Sequence, residues 1–178
     1  MSRIVVHASV DTGYRRHITA TTLRQWARTV LQHLDLQEDI GLDVAVTDEA
    51  TVQALNREHR GLDETTDVLS FPFSDRAAQA PYYGATKRRR APTSDFVVPP
   101  SEARSLGEVV IAFPYAQRQA AAAGHSVRDE LALLLTHGIL HLLGHDHQER
   151  EEELRMWAET ERLLALLAPK ESADLSAT

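Results

Sequence analysis

The sequence predicts an α+β fold in a single compact domain: a small mixed sheet of about four strands packed with about five helices, with a metal site on a buried helix and the turn after it. Two observations predict the elements. The apolar residues switch between period 2 and a period near 3.6 along the first part of the chain, and after Pro114 they keep the helical period. The length, 178 residues with 43% hydrophobic and 25% charged side chains, suits one core without subdivision. The expected domain is residues 1–168, with a disordered tail from 169 to 178.

Ile4 to His7 reads as a short strand, and Leu23, Trp26, Ala27, Val30, Leu31 and Leu34 then keep one helical face apolar, with Thr21 or Thr22 as the cap. Leu42, Val44 and Val46 alternate with Asp43 and Ala45 as in a half-buried strand, and Asp48 caps a helix reaching about Arg57. A third strand covers Asp67 to Phe73, where Pro72 points to a sheet edge, and a fourth covers Glu108 to Phe113. Between them, residues 74–105 are rich in Pro, Ala, Ser and Arg without a sustained period, which reads as a mobile insertion. One helix then ends near Gly124, and a second starts at Ser126 with Asp129 and Glu130 in its first turn. The apolar residues of this second helix include Leu131, Leu134, Leu135 and Leu142, and Gly144 can adopt the left-handed conformation that ends it. The last helix takes Leu154, Trp157, Leu164 and Leu167 as its buried stripe.

The chain has no cysteine, which removes disulfides, thiolate metal sites and a cysteine nucleophile from consideration. Any metal must use histidine or carboxylate. No basic segment with a long apolar run follows Met1, and no apolar stretch approaches the roughly 20 residues that span a bilayer, so a cytoplasmic protein without a membrane partner is expected. The net charge of −7 argues against a simple nucleic-acid coat but leaves room for a local cationic groove.

Four of the nine histidines fall between His137 and His147. His137 and His141 are four residues apart, so on a helix their imidazoles share one face and can share one ion. Gly144 lets the backbone turn, so that His147 can return as a third ligand. Three neutral imidazoles leave the fourth position of a zinc ion open, as in catalytic sites. Zinc proteases commonly place a glutamate beside the first histidine as general base, whereas Gly138 stands there in this chain, which argues against peptide hydrolysis by that route.

The run from His137 to His147 resembles the YbeY family of bacterial rRNA maturation endoribonucleases, meeting the motif His-Gly-x-Leu-His-Leu-x-Gly-x-Asp-His at every defined position. Leu55-Asn56, Arg60-Gly61 and Thr66-Asp67-Val68-Leu69-Ser70-Phe71-Pro72 look like a second family signature, and Leu106-Gly107-Glu108-Val109-Val110-Ile111 resembles the strand after it. The resemblance implies a compact α+β domain and one zinc ion on His137, His141 and His147. It also implies cleavage of single-stranded RNA in late ribosome maturation, including the 3′ end of 16S rRNA, with rRNA and the ribosome or its small-subunit proteins as partners. Two departures stand out: residues 74–105 are longer than the family usually carries, and Glu108 replaces a commoner aspartate.

Arg60 is the candidate catalytic residue beyond the metal ligands, because a guanidinium can meet the charge on a reacting phosphodiester with two parallel hydrogen bonds; it reads equally well as a solvent-facing arginine. Asp146 can orient a ligand imidazole or cap the following helix, and His145 is a supporting or solvent-facing group. Ser70 can touch substrate or serve as a polar strand residue. Lys87-Arg88-Arg89-Arg90 is the densest cationic run, either an RNA contact or a solvated loop. Two other functions stay open: a zinc hydrolase acting on peptides or small amides, and a ribosome-associated binding protein with structural zinc.

Overall fold

The computed structural model describes residues 3–34, 36, 39–73, 104–145 and 150–168. Strands β1 (Ile4–Val10), β2 (Ile40–Thr47), β3 (Val68–Pro72) and β4 (Arg104–Ala112) form one sheet in the order β1-β2-β4-β3. β1, β2 and β4 run parallel, while β3 lies antiparallel to β4 at the sheet edge. Helices α1 (Ala20–His33), α2 (Glu49–Arg60), α3 (Phe113–Ala123), α4 (Val127–Leu142) and α5 (Arg150–Leu167), with a 3-10 turn at Thr12–Tyr14, complete the described fold. The expected α+β class, with a mixed four-stranded sheet and five helices, is what forms.

The alternation in β2 determines the sheet's faces. Leu42, Val44 and Val46 point into the main core, joined there by Val109 and Ile111 of β4 and by Leu23, Ala27, Val30 and Leu31 of α1. On the other face, Leu69 and Val110 pack with Val52 and Leu55 of α2. α2 and α4 therefore lie on opposite sides of the sheet. α4 buries Leu131, Leu135, Ile139 and Leu140 completely, each contributing about 1.5–3 kcal/mol of transfer free energy. So central a helix is apolar on most of its circumference, and the buried Thr136 hydroxyl is satisfied within it by donating to the Ala132 carbonyl at 2.8 Å.

Several boundaries differ from the expectation. Thr19, not Thr21 or Thr22, caps α1, its side chain accepting from the Thr22 amide. α2 continues to Arg60, where Gly61 takes the left-handed conformation. Arg104 and Ser105 belong to β4, not to the insertion, because they pair with Ile40 and Gly41; Phe113 already opens α3. Residues 74–103 and 169–178 lie outside the described residues. The stripe expected on α5 forms only in its second half: Leu164 and Leu167 pack against the core beside the buried Met156, Thr160 and Leu163, while Leu154 and Trp157 are 62% and 45% exposed.

Candidate metal centre

The Ser126 hydroxyl accepts from the Asp129 amide and starts α4, which delivers His137 and His141 in its last two turns. Their Nε2 atoms converge to 3.1 Å, with the rings nearly perpendicular at 86°. Beyond the helix, Gly144 takes φ +89°, and the amides of Gly144 and His145 return to the carbonyls of His141 and Leu140. This turn sets the His145 carbonyl 3.1 Å from Nδ1 of His141.

That contact fixes the chemistry of His141. A carbonyl oxygen only accepts, so Nδ1 is the donor, and in a neutral ring the lone pair then falls on Nε2. A ligand imidazole is commonly held this way, by donation from its other nitrogen to a backbone carbonyl. Two nitrogens at tetrahedral positions, each about 2.0–2.1 Å from a zinc ion, stand about 3.3 Å apart. The observed 3.1 Å fits such a pair. The site also lies at the negative end of the α4 dipole, which favours a cation. Among the described residues no third His, Asp or Glu completes a metal-binding group. Asp146 and His147 lie outside the described residues.

The glycine between the histidines has a packing reason. A Cβ at Gly138 would lie 2.7 Å from Val109 Cγ1 and 3.1 Å from Ser70 Oγ, so α4 approaches the sheet too closely there for any side chain. The position occupied by a glutamate in zinc proteases is thus filled by β4. Ser70 is buried on β3, and its hydroxyl donates to the Gly138 carbonyl at 3.2 Å, so Ser70 ties the ligand-bearing helix to the edge strand. Gly107, with φ +144°, makes a second close approach: a Cβ would lie 2.2 Å from the Phe71 carbonyl oxygen and 2.9 Å from Leu142 Cδ2. Gly138→Ala is expected to destabilise the protein, since overpacking costs about 1–3 kcal/mol and outweighs the gain of up to about 1 kcal/mol in helix propensity. A lowered urea midpoint would show it.

Arg60 is exposed at the C-terminal end of α2, across the sheet from α4. Its neighbour His59 lies against Phe71 of β3, with ring centroids 4.8 Å apart. β3 touches both this end of α2, through Phe71, and α4, through Ser70, but among the described residues Arg60 makes no hydrogen bond or ion pair with either histidine. Lys87 to Arg90 lie outside the described residues. His145 contributes its carbonyl, while the residue itself is exposed.

Glu108 stands apart from the histidines. It pairs laterally with Asp43 and Phe71, and Asp43 with His7, so this row occupies the α2 face of the sheet. Burial, and then the neighbouring Asp43 carboxylate, push the Glu108 carboxyl above the usual glutamate range. A group raised in the folded state contributes stability below the pH at which the unfolded group titrates and loses it as pH rises through the folded value. Glu108→Gln is therefore expected to gain stability over the parent at neutral pH and to show no gain in acid, read from urea midpoints at both.

Comparison with known proteins identifies the family. The profile described as Endoribonuclease YbeY matches residues 10–168. The chain belongs to the endoribonuclease YbeY family. A relative named Endoribonuclease YbeY from Dehalococcoides mccartyi (strain ATCC BAA-2100 / JCM 16839 / KCTC 5957 / BAV1) is 39% identical, covering 85% of this chain and 89% of its own. Another of that name from Roseiflexus castenholzii is 34% identical over 93% of this chain and 94% of its own. A Thermotoga maritima protein known from a solution structure shares the fold, with a TM-score of 0.53 at 21% identity over the full length of both chains.

One feature of this YbeY family member was not foreseen in its sequence. Trp157, expected in the core, sits beside the histidine pair, its ring centroid 5.9 Å from that of His137. A Trp between acidic and apolar residues on a helix carries no signal of that placement, which arises from how α5 crosses α4.

Proposed function

We propose that this chain is a zinc-dependent endoribonuclease that cleaves single-stranded RNA in rRNA maturation, including the 3′ end of 16S rRNA, and in late ribosome quality control. The observation that carries the reading is the convergence of His137 and His141, with His141 held as an Nε2 ligand by the His145 carbonyl, in a chain whose relatives are named endoribonucleases. His147 is the proposed third ligand. Zinc held by these three histidines would supply Lewis acidity to the site.

The remaining work falls to this chain's own residues. The His145 carbonyl holds the His141 ring in the tautomer that binds, and Ser70 fixes α4 against β3. Arg60, exposed at the end of α2, meets the non-bridging oxygens of the scissile phosphate with its two-pronged donor set. In this reading the protein works in the cytoplasm, with rRNA and the ribosome or its small-subunit proteins as partners. Among the described residues no helix is long and apolar enough to cross a membrane. Peptide hydrolysis fits the site poorly, because β4 fills the space that a glutamate at position 138 would need. Incubation of the zinc-loaded protein with single-stranded RNA and with casein, each with and without chelator, tests the reading. Chelator-sensitive cleavage of RNA alone is expected, and chelator-sensitive cleavage of casein alone would overturn it.

A further inference from the structure

α5 buries Met156, Thr160 and Leu163 and rests Leu164 and Leu167 against the main core, and Trp157 is not among them. A single exposed apolar side chain needs no explanation in general. Trp157 differs by its position. Its indole stands 5.9 Å from the His137 ring, tilted by 39°, with 45% of the residue open to solvent. Leu154, three residues earlier and therefore on the same side of α5, is 62% exposed and extends the apolar surface.

We propose that Trp157 is a stacking platform for a nucleobase of the single-stranded RNA, holding the strand beside the histidine pair. The proposal rests on the endoribonuclease reading and adds a substrate-positioning residue to it. Single-stranded RNA offers unpaired bases with exposed π-faces, and proteins bind such strands by stacking those bases on aromatic side chains. The electrostatics of α5 favour a base over a phosphate at this spot: its first turn carries Glu151, Glu152 and Glu153, which repel the backbone but not a neutral ring. A base seated on Trp157 places its adjoining phosphodiesters beside His137 and His141.

The chain has two tryptophans, and Trp26 is buried beneath Arg128, so the emission of Trp157 can be isolated in a Trp26→Phe background. Stopped-flow mixing of that zinc-loaded protein with a short single-stranded RNA is expected to quench Trp157 before cleavage. Trp157→Ala should raise KM for the RNA about 5-fold to 100-fold, as expected for the loss of one base stack, with kcat and zinc content little changed. Trp157→Phe should restore most of the affinity. An abasic substitution at one position of the RNA should weaken binding to the parent and have no further effect on Trp157→Ala. Normal cleavage with unchanged Trp157 emission, and with the same KM in Trp157→Ala, would overturn the platform and leave the endoribonuclease reading intact. Loss of zinc in Trp157→Ala, restored by Trp157→Phe without a change in RNA affinity, would instead make Trp157 a cover for the ligand helix and overturn the proposal. Absence of any RNA binding or cleavage by the parent would remove both readings together.

Discussion

His141→Ala is expected to lose zinc and RNA cleavage together, with cleavage falling by about 100-fold or more while the fold survives. Changing only the groups that orient a metal ligand typically costs 10-fold to 100-fold in metal affinity or activity, so removing a ligand should cost at least the upper end of about that range. No cysteine is present to take its place. The core contacts of α4 run through Leu131, Leu135, Ile139 and Leu140, none of which the substitution touches. Atomic absorption, circular dichroism and a cleavage assay on the same preparation separate metal loss from unfolding. His137→Ala should behave alike. His145→Ala should keep its zinc, because the contact it makes to His141 comes from the backbone carbonyl, which the substitution leaves in place. Stoichiometric zinc in His141→Ala would overturn the ligand assignment, and loss of zinc in His145→Ala would move it to a different histidine.

Arg60→Lys is expected to fold and bind zinc as the parent does, yet to cleave RNA about 100-fold more slowly in single turnover. Lysine keeps the charge but replaces a planar fork with a point donor, so two parallel hydrogen bonds to a phosphate cannot be reproduced. Losing one preorganised donor to developing charge costs about 100-fold or more in the chemical step. Stability should change little, since Arg60 is exposed at a helix end. The structural role open to Arg60, its charge at the negative end of the α2 dipole, survives in lysine. Parent-like single-turnover rates would leave Arg60 with that role only.

Legibility in the sequence followed the range of the interaction involved. The alternation of Leu42, Val44 and Val46 and the stripe from Leu23 to Leu31 are local patterns, and both elements form with those residues inside. The four-residue spacing of His137 and His141 is likewise local, and the helix brings the two rings together. Gly138 and Gly107 were readable only as motif positions, because what each one meets lies on a distant strand. On α5, Leu154 and Trp157 compete with Met156 and Leu163 as the inward set. The second set wins although it carries Thr160, whose hydroxyl donates to the Met156 carbonyl at 2.8 Å and can therefore be buried. The direction of Glu108 follows from strand parity, yet its raised pKa depends first on burial beneath the α2 face and then on Asp43, which register alone brings beside it.

Zinc dependence of RNA cleavage is measured most directly by a zinc titration of the stripped protein, with cleavage of single-stranded RNA followed at each metal-to-protein ratio. The stripped protein should show no cleavage, and added zinc should give a linear rise with a break at about one ion per chain, consistent with a single catalytic site. Full cleavage by the stripped protein, or a fully zinc-loaded protein that leaves single-stranded RNA intact, would contradict zinc-dependent cleavage.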